Sequence, residues 1–431
     1  MRWLHGQHAI LALFALSSVV FCSDTSAAQV AWDAGGGDQS WGTATNWSGN
    51  VIPLGTDSVL FNDTGSSNVP GNPTSVLDIP RSIVNLSFAN TNGHFQTIDL
   101  GTNALQVNGN VDVNTNVGDN TLATIEHGTV NLGSPASPIN LSVGRVTLNT
   151  GAQEFATFDL TGATVNGNVQ NLIVGEKILG GNGYAVGTLS LGAKGALTVG
   201  STATPGEILI GHTANSNGSA GTVDLSQQKM FTANVSNLLV GTSEVGAATG
   251  TFDLAGTNVL NATTIRVGYS TATDNQSTTS ALHLGSTNTI TAGELTVGGN
   301  LSTGTLDIPS GGSVNLGSSA QPTNLNVGQS SSQTNQSPQG LMALSDATFN
   351  ATLGELSVGV KGGGGSGTQT GALLGGNAGN ITIGSPTVSG SIIIGQVTGG
   401  GNAAGTVDLS GETSLTANVS NLLVGSASVG N

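Results

Sequence analysis

The pentapeptide Asn-Leu-Leu-Val-Gly occurs twice in this chain, at residues 237–241 and again at residues 421–425. Looser versions of it recur between and before these copies. Each ends in a glycine, here called a closing glycine: Gly144, Gly175, Gly211, Gly241, Gly268, Gly298, Gly328, Gly359, Gly395 and Gly425. Successive closing glycines lie 31, 36, 30, 27, 30, 30, 31, 36 and 30 residues apart. A near-constant period in this range is typical of solenoids, in which each unit buries its apolar face only against its neighbours.

Each unit contains three short apolar segments, as at residues 221–225, 231–235 and 237–241. Within a segment apolar and polar residues alternate, so Val223 and Leu225 point to one side and Asp224 to the other. Three strands of about five residues with their turns fill about 31 residues, whereas a propeller blade needs four strands and about 40. The sequence therefore predicts an all-β fold, a parallel β-helix of about ten three-sided repeats. The closing glycines are expected at corners where φ is positive or the backbone approaches closely.

The composition supports this class. There are 67 glycines, 7% of residues are charged and 4% aromatic, yet 37% are apolar. A disordered chain would contain fewer apolar residues, and a mainly helical one would need more Lys, Glu and Arg on its exposed faces. The formal net charge is −16. Because a negative surface repels a phosphate backbone, we expect no nucleic-acid partner.

Residues 1–28 have the features of a signal peptide. A positive residue, Arg2, precedes an apolar run at 9–21 that is too short to span a bilayer, and small residues at 26–28 offer a cleavage site. A membrane anchor is the alternative, but Asp24 interrupts the apolar character. Cys22 is the only cysteine. Export would remove it, so the mature chain would hold no disulfide and no thiolate metal site.

Residues 29–63 form an aromatic opening segment. They contain Trp32, Trp41 and Trp47 around a glycine-rich turn at 35–38, followed by a Pro turn and an Asp-Ser-Val-Leu-Phe strand ending at Phe61. The first coil of a solenoid has an open edge and an uncovered core end, and large rings can cover them. We therefore expect a capping segment. The alternative is that the Trp rings stack on sugars. The turn at 35–38 is similar to a calcium-binding turn but occurs only once, whereas such sites need stacked copies.

This opening pattern resembles the start of the passenger regions of bacterial autotransporter-type surface proteins that carry autotransporter-associated β-strand repeats. The resemblance implies a right-handed parallel β-helix whose first coils lie in residues 64–121 and whose repeats fill residues 122–431. It also implies a secreted or cell-surface protein, associated with the outer membrane of a Gram-negative bacterium.

Catalytic residues are not apparent. Polysaccharide lyases and hydrolases built on β-helices need carboxylates clustered with basic residues. The basic residues fall on different coils and segments, and the histidines show no metal-ligand spacing. These residues are Arg81, Arg145, Arg266, Lys177, Lys194, Lys229 and Lys361, with His94, His127, His212 and His283. We therefore predict no catalytic residues, no bound cofactor and no metal site.

One column of ionisable residues is nevertheless predicted. Asp224, Asp253, His283 and Asp307 occupy the same outward position in four successive units. Adjacent carboxylates about 5 Å apart would repel by about 0.8 kcal/mol in water, and a Ca²⁺ or transition-metal ion could relieve that repulsion. The alternative is a row of polar positions that keeps this face soluble. Other units place Asp159, Ser190, Ala343, Leu374 and Asp408 in the same position.

Loops of unequal length follow the closing glycines, as at 299–303, 329–339 and 360–370, and all are expected at one corner of the coil. They are rich in Gly, Ser, Thr, Asn and Gln, with Tyr184 and Tyr269 as rare aromatics. Such a surface could bind glycans or neighbouring cell-surface molecules, or it could be a solvated spacer. The last unit stops at Asn431 without a cap. This predicts a truncated chain whose membrane anchor is absent, or else an edge that associates end to end with another copy.

These patterns together predict an exported, non-catalytic β-helix that acts as a structural stalk or adhesin. The alternative is a β-helix lyase or hydrolase acting on polysaccharide. An ice-binding solenoid is disfavoured, because Thr289-Ile290-Thr291 and similar pairs do not recur in register.

Overall fold

The computed structural model describes residues 28–91, 93–114, 120–147, 153–179, 183–214, 218–271, 278–331, 337–344 and 346–427. The chain is 61% strand and 2% helix, and it winds into a parallel β-solenoid of about 12 turns. The predicted all-β class and stacked coils are therefore confirmed. The predicted signal peptide lies outside the described residues except for its last residue.

The strands, in chain order, are as follows. They are β1 Gln29–Ala31, β2 Ser58–Phe61, β3 Ser75–Val76, β4 Arg81–Ile83, β5 Leu86–Phe88, β6 Phe95–Asp99, β7 Ala104–Val107, β8 Val111–Val113, β9 Asn120–Glu126, β10 Thr129–Leu132, β11 Ile139–Val146, β12 Glu154–Leu160, β13 Thr164–Lys177, β14 Tyr184–Leu191, β15 Gly195–Val199, β16 Gly206–Thr213, β17 Gly218–Asp224, β18 Met230–Ser243, β19 Ala247–Asp253, β20 Thr257–Ser270, β21 Thr279–His283, β22 Thr287–Gly299, β23 Thr303–Asp307, β24 Ser313–Leu316, β25 Thr323–Ser330, β26 Gln339–Ala343, β27 Thr348–Lys361, β28 Thr368–Leu374, β29 Asn380–Ile383, β30 Gly390–Ile394, β31 Asn402–Asp408, β32 Ser414–Ala417 and β33 Val419–Val424. Two short 3-10 helices, Ala44–Asn46 and Ser48–Asn50, lie between β1 and β2.

The three segments of each coil form two sheets. The first segments stack into a sheet of 12 strands: β3, β6, β9, β12, β14, β17, β19, β21, β23, β26, β28 and β31. The second and third segments together form a sheet of 21 strands. In β13, β18, β20, β22 and β27 they run on as a single strand of 13 or 14 residues. Neighbouring strands pair in parallel throughout, as expected of stacked coils.

The closing glycines mark one corner of the solenoid. All ten have a positive φ, between 60° and 68°. The residues beside them are in register from coil to coil, as in the pairs of Val240 with Val267 and of Val267 with Val297. A Cβ at Gly211 would overlap the carbonyl oxygen of Thr249 in the first-segment sheet. Both expected reasons for glycine, positive φ and close approach of two backbones, are therefore confirmed.

A second corner, distinct from the one after the closing glycines, also carries insertions, and these were not predicted from the sequence. Residues 133–138, 200–205, 317–322 and 384–389 leave the coil between the second and third segments. Each insertion begins with a positive-φ glycine: Gly133, Gly200, Gly317 and Gly384. Coils with such an insertion alternate with the uninterrupted strands β13 and β27. The solenoid therefore has two places where its surface can vary without disturbing the stack.

The two ends of the repeat region are built alike. The insertions at 133–138 and 317–322 are separated by 184 residues, as are the closing glycines Gly144 and Gly328. The same offset relates 200–205 to 384–389. Each end also has an uninterrupted strand between its two insertions. The near-identity of residues 221–241 and 405–425 therefore belongs to a longer repeat that spans six coils.

The core is one continuous column of aliphatic side chains that runs from Val30 to Ile392. Inward Val, Leu and Ile residues fill it, each contributing about 1.5–3 kcal/mol when fully buried. At the first coils aromatic rings replace them. Phe61 stacks on Phe88 with ring centroids 5.3 Å apart, and Phe88 lies 5.7 Å from Phe158.

The opening tryptophans extend this aromatic column. Trp32, Trp41 and Trp47 are fully buried. The Trp47 ring meets Trp32 and Trp41 edge-on, with centroids 4.9 and 5.0 Å apart, and all three pack on Phe61. The rings therefore lie where a capping segment is expected. The alternative that they stack on sugars is wrong, because no ring face is exposed to a ligand.

The glycine-rich turn beside these rings is held by Asp38. Its carboxylate accepts hydrogen bonds from Thr43 Oγ1 at 2.8 Å, from Asn46 Nδ2 at 2.6 Å and from the backbone N–H of Ser40 at 3.0 Å. The hydrogen bond from Thr43 is the largest of the causes that lower the pKa of Asp38. The carboxylate oxygens that a calcium ion would need are thus used by the chain's own donors.

Candidate functional site

The predicted column of ionisable residues forms in register. Asp224 pairs with Asp253, Asp253 with His283, and His283 with Asp307, on the successive strands β17, β19, β21 and β23. His283 Nδ1 lies 2.7 Å from Asp307 Oδ1, and its Nε2 lies 3.9 Å from Asp253 Oδ1. The histidine therefore sits between two carboxylates, in the place where a cation would relieve their repulsion.

Asp253 shows the electrostatic effect of this stacking. Burial raises its pKa, the His283 charge lowers it, and the carboxylates of Asp224 and Asp307 raise it again. The column ends at four residues, because Ser190 precedes it and Ala343 follows it in register. The absence of a metal site here stays a prediction, with cation binding by this column as its alternative.

A second group of ligating atoms lies on neighbouring turns. Atoms of Asp99, Glu126 and His127 all lie within 4.8 Å of one another, the one such group of three among the described residues. The histidine spacing in the sequence did not indicate it, because Asp99 and Glu126 meet only when β6 and β9 pair. Asp99 Oδ1 already lies 2.8 Å from His127 Nδ1 and accepts the Gly101 N–H at 2.7 Å. The hydrogen bond to Asp99 raises the pKa of His127.

A third cluster contradicts the expectation that basic residues are scattered. Arg145, Glu176 and His212 each follow a closing glycine, on the consecutive strands β11, β13 and β16. Arg145 Nε lies 2.7 Å from Glu176 Oε2, and His212 Nδ1 lies 3.3 Å from Glu176 Oε1. The Glu176 side chain is only 6% exposed. Acid and base groups from three coils thus meet on the outer face of the 21-stranded sheet.

The hydrogen bonds at this cluster decide the charge of Glu176. Burial alone would raise its pKa, but the hydrogen bonds from His212 and Arg145 and their charges outweigh burial, so the pKa lies below the ordinary value of 4.5. A depressed carboxyl pKa contributes stability above the unfolded-state pKa. That contribution is lost as the pH falls through the folded-state pKa.

Arg145→Met is expected to lower the free energy of unfolding by about 1–3 kcal/mol at pH 7, because it removes the closest donor and an opposite charge from the buried Glu176 carboxylate. The loss should shrink as the pH falls through the depressed pKa of Glu176, because the carboxyl is then protonated in both proteins. Urea unfolding at pH 7 and pH 3 measures it. The control is Lys229→Met, which removes the same charge from an exposed side chain. Equal effects of the two substitutions at pH 7 would contradict the assignment.

A groove of about 200 Å³ continues this cluster onto the next coils. We call it the lateral groove, and it is lined by His212, Leu239, Thr242, Ser243, Glu244, Arg266, Tyr269 and Thr271. His212, Thr242 and Tyr269 are paired in register, each directly after a closing glycine. Tyr269, expected in a loop, therefore belongs to strand β20.

The groove wall is formed by Arg266 and Tyr269. The guanidinium carbon of Arg266 lies 4.4 Å from the centre of the Tyr269 ring. Nε and Nη2 of Arg266 each lie 3.4 Å from Glu294 Oε1 in the next coil. The hydroxyl of Thr242 is buried and has no hydrogen-bond partner among the described residues. The groove therefore offers a cation, an aromatic ring and an unpaired hydroxyl within one small volume.

The lateral groove is better equipped for binding than for covalent catalysis. A carboxylate that orients a histidine next to a hydroxyl is part of a nucleophile–base arrangement. However, His212 and Thr242 make no hydrogen bond to each other among the described contacts, so the pair is not formed.

Two lysines of the coil interior have a structural role instead. Lys177 and Lys361 are fully buried, and burial lowers the pKa of both. Lys177 Nζ donates to the carbonyl of Gly183, and Lys361 Nζ donates to that of Gly367 at 2.7 Å. The two pairs are 184 residues apart, so the same loop attachment is built twice.

Fold and site together define the class of protein as a parallel β-solenoid with a polar groove on its side. Comparisons of the chain with models of protein families, with curated proteins and with solved structures found no match. Among the described residues, no helix is long and apolar enough to cross a membrane.

Proposed function

We propose that the protein is an exported β-solenoid of the autotransporter type that serves as a stalk or adhesin on a bacterial surface. The observation that carries this proposal is the in-register stack of closing glycines from Gly144 to Gly425. About 12 coils spaced about 4.8 Å apart give a rod about 55–60 Å long. Continuous ladders along such a rod supply stiffness and reach.

The surface composition supports an extracellular role. Only 7% of the residues are charged, and the net charge is −16. The insertions at both corners consist mainly of small uncharged polar residues, which suit weak contacts with glycans or other surface molecules.

Expression of the full chain in a Gram-negative host tests the export proposal. The mature protein should begin at Gln29 and be found outside the cytoplasm, which N-terminal sequencing and fractionation would measure. A variant with Leu13→Arg and Leu16→Arg in the apolar run should stay inside at full length. Cytoplasmic retention of the unaltered chain would overturn the proposal.

The cluster of Arg145, Glu176 and His212 favours one alternative, a β-helix enzyme acting on polysaccharide. Clustered acid and base groups on neighbouring coils are the feature that such an enzyme requires. Release of reducing ends or unsaturated products across a polysaccharide panel separates the two functions. Turnover that disappears in Glu176→Gln would establish the enzyme, whereas the stalk proposal expects no turnover.

A further inference from the structure

The lateral groove contains a polar group placed for a ligand. Thr242 is 5% exposed, its hydroxyl has no hydrogen-bond partner among the described residues, and its side chain lines the groove. Buried hydroxyls are normally hydrogen-bonded. Its two neighbours in the same column, His212 and Tyr269, line the groove as well. The unpaired hydroxyl therefore lies where several polar side chains converge.

The charges around the groove exclude a simple anion site. Arg266 supplies one cation, but Glu294 already binds it. Glu244 lines the groove. Glu176 lies behind His212 and is itself paired with Arg145, so two arginines face three glutamates. The surroundings are thus negative on balance, as is the whole chain. A phosphate or a carboxylate ligand would meet repulsion here.

The remaining groups suit a ligand that both donates and accepts hydrogen bonds. Thr242 can do both, Arg266 donates, and Glu244 accepts. The His212 ring also lines the groove, and its Nδ1 is held by Glu176. Leu239 and the Tyr269 ring add a small apolar surface. Sugar rings combine hydroxyls of this kind with apolar C–H faces.

We propose that the lateral groove binds one residue of a neutral polysaccharide. A volume of about 200 Å³ is enough for one sugar ring, and the open side lets the polymer continue along the solenoid. The proposal rests on the adhesive function and specifies the ligand class of that function. Thr242 and Arg266 would bind hydroxyls, and Tyr269 would pack against the ring face.

A glycine in the next coil positions the tyrosine. Gly299 pairs with Tyr269 in register, and a Cβ at Gly299 would overlap the Tyr269 ring. The φ of Gly299 is not among the positive values, so alanine is compatible with its backbone. Gly299→Ala should therefore move the Tyr269 ring while leaving the other groove side chains unchanged.

The test is a panel of neutral hexasaccharides (gluco-, galacto-, manno- and xylo-series), with hexauronates alongside, titrated against the full-length mature protein by calorimetry. At least one neutral oligosaccharide should bind. Thr242→Val should weaken binding about tenfold, the change expected for loss of one hydrogen bond, and Tyr269→Ala and Gly299→Ala should weaken it also. The matched control Thr232→Val, on the same strand β18 but outside the groove, should change the Kd less than twofold.

Three results would overturn the proposal. They are no binding by any neutral oligosaccharide, binding of hexauronates alone, and equal binding by Thr242→Val, Tyr269→Ala and the unaltered protein. Circular dichroism establishes that each variant is folded. Product release is measured in the same samples. If a bound oligosaccharide is cleaved, the non-catalytic stalk is refuted, but sugar binding in the lateral groove is not. If the protein is exported and binds no oligosaccharide, only the proposal of sugar binding in the groove is refuted.

Discussion

Gly211→Ala is expected to lower the free energy of unfolding by about 3–5 kcal/mol, the largest effect of any single methyl group added at the glycine corner. The φ of Gly211 is 60°, which costs an alanine about 1–2 kcal/mol. The added Cβ would also overlap the carbonyl oxygen of Thr249 and crowd the N–H of Gly221. Both are backbone atoms of the first-segment sheet, so relief requires the coil to open and its ladders to break.

Gly101→Ala separates the two costs. Gly101 has a similar φ of 56°, but a Cβ there would have no atom within 4 Å. The Gly101→Ala variant should therefore lose only the free energy that the positive φ costs an alanine, about 1–2 kcal/mol. Urea unfolding of both variants measures the difference, and hydrogen exchange should show faster opening of β16, β17 and β19 in Gly211→Ala. Equal destabilisation of the two variants would show that close approach of the sheets does not select glycine.

The repeat architecture could be predicted because its signals are local. Alternation inside a segment sets which side chains face the core, and the closing glycine sets the corner, so each coil carries both signals in its own residues. The column from Asp224 to Asp307 could be predicted for the same reason. Its members were counted from the start of the first segment, which contains no insertion in those coils.

The cluster at Glu176 was missed because an insertion changes the number of residues between positions that are in register. Arg145 and Glu176 are 31 residues apart, but Glu176 and His212 are 36 apart, because residues 200–205 leave the coil at the second corner. The insertion lengthens the chain without changing the register of the third segment. Counted from the closing glycine, all three residues occupy the next position. The signal was present in the sequence, but it required knowing that the insertion lies outside the stack.

The lateral groove could not be predicted from any local pattern. Arg266 and Tyr269 share a strand, but the groove also needs Thr242 one coil earlier and His212 two coils earlier. Whether Tyr269 can lie along the sheet depends on Gly299 in the following coil. A site of this kind depends on the sizes of side chains in four successive coils, which alternation and period do not specify.

Trp47→Ala is expected to cost about 3–5 kcal/mol and to promote self-association. The Trp47 ring is the central one of the three, in edge-on contact with both Trp32 and Trp41. Its Nε1 also donates to the carbonyl of Trp41 at 3.0 Å, so its loss leaves a buried acceptor unpaired. The cavity would lie directly above Phe61, at the end of the core.

Thermal unfolding and light scattering measure the two consequences of Trp47→Ala separately. Leu54→Ala, on a 61% exposed side chain of the same segment, is the control and should change stability by less than about 0.5 kcal/mol. Trp47→Phe should fall between them, because it keeps an aromatic ring but loses the hydrogen bond to Trp41. In the capping role, self-association is caused by the exposed core end and the opened strand β1. Association should therefore increase with the size of the cavity. A destabilised but strictly monomeric Trp47→Ala would mean that the rings fill the first coil without protecting the end of the solenoid.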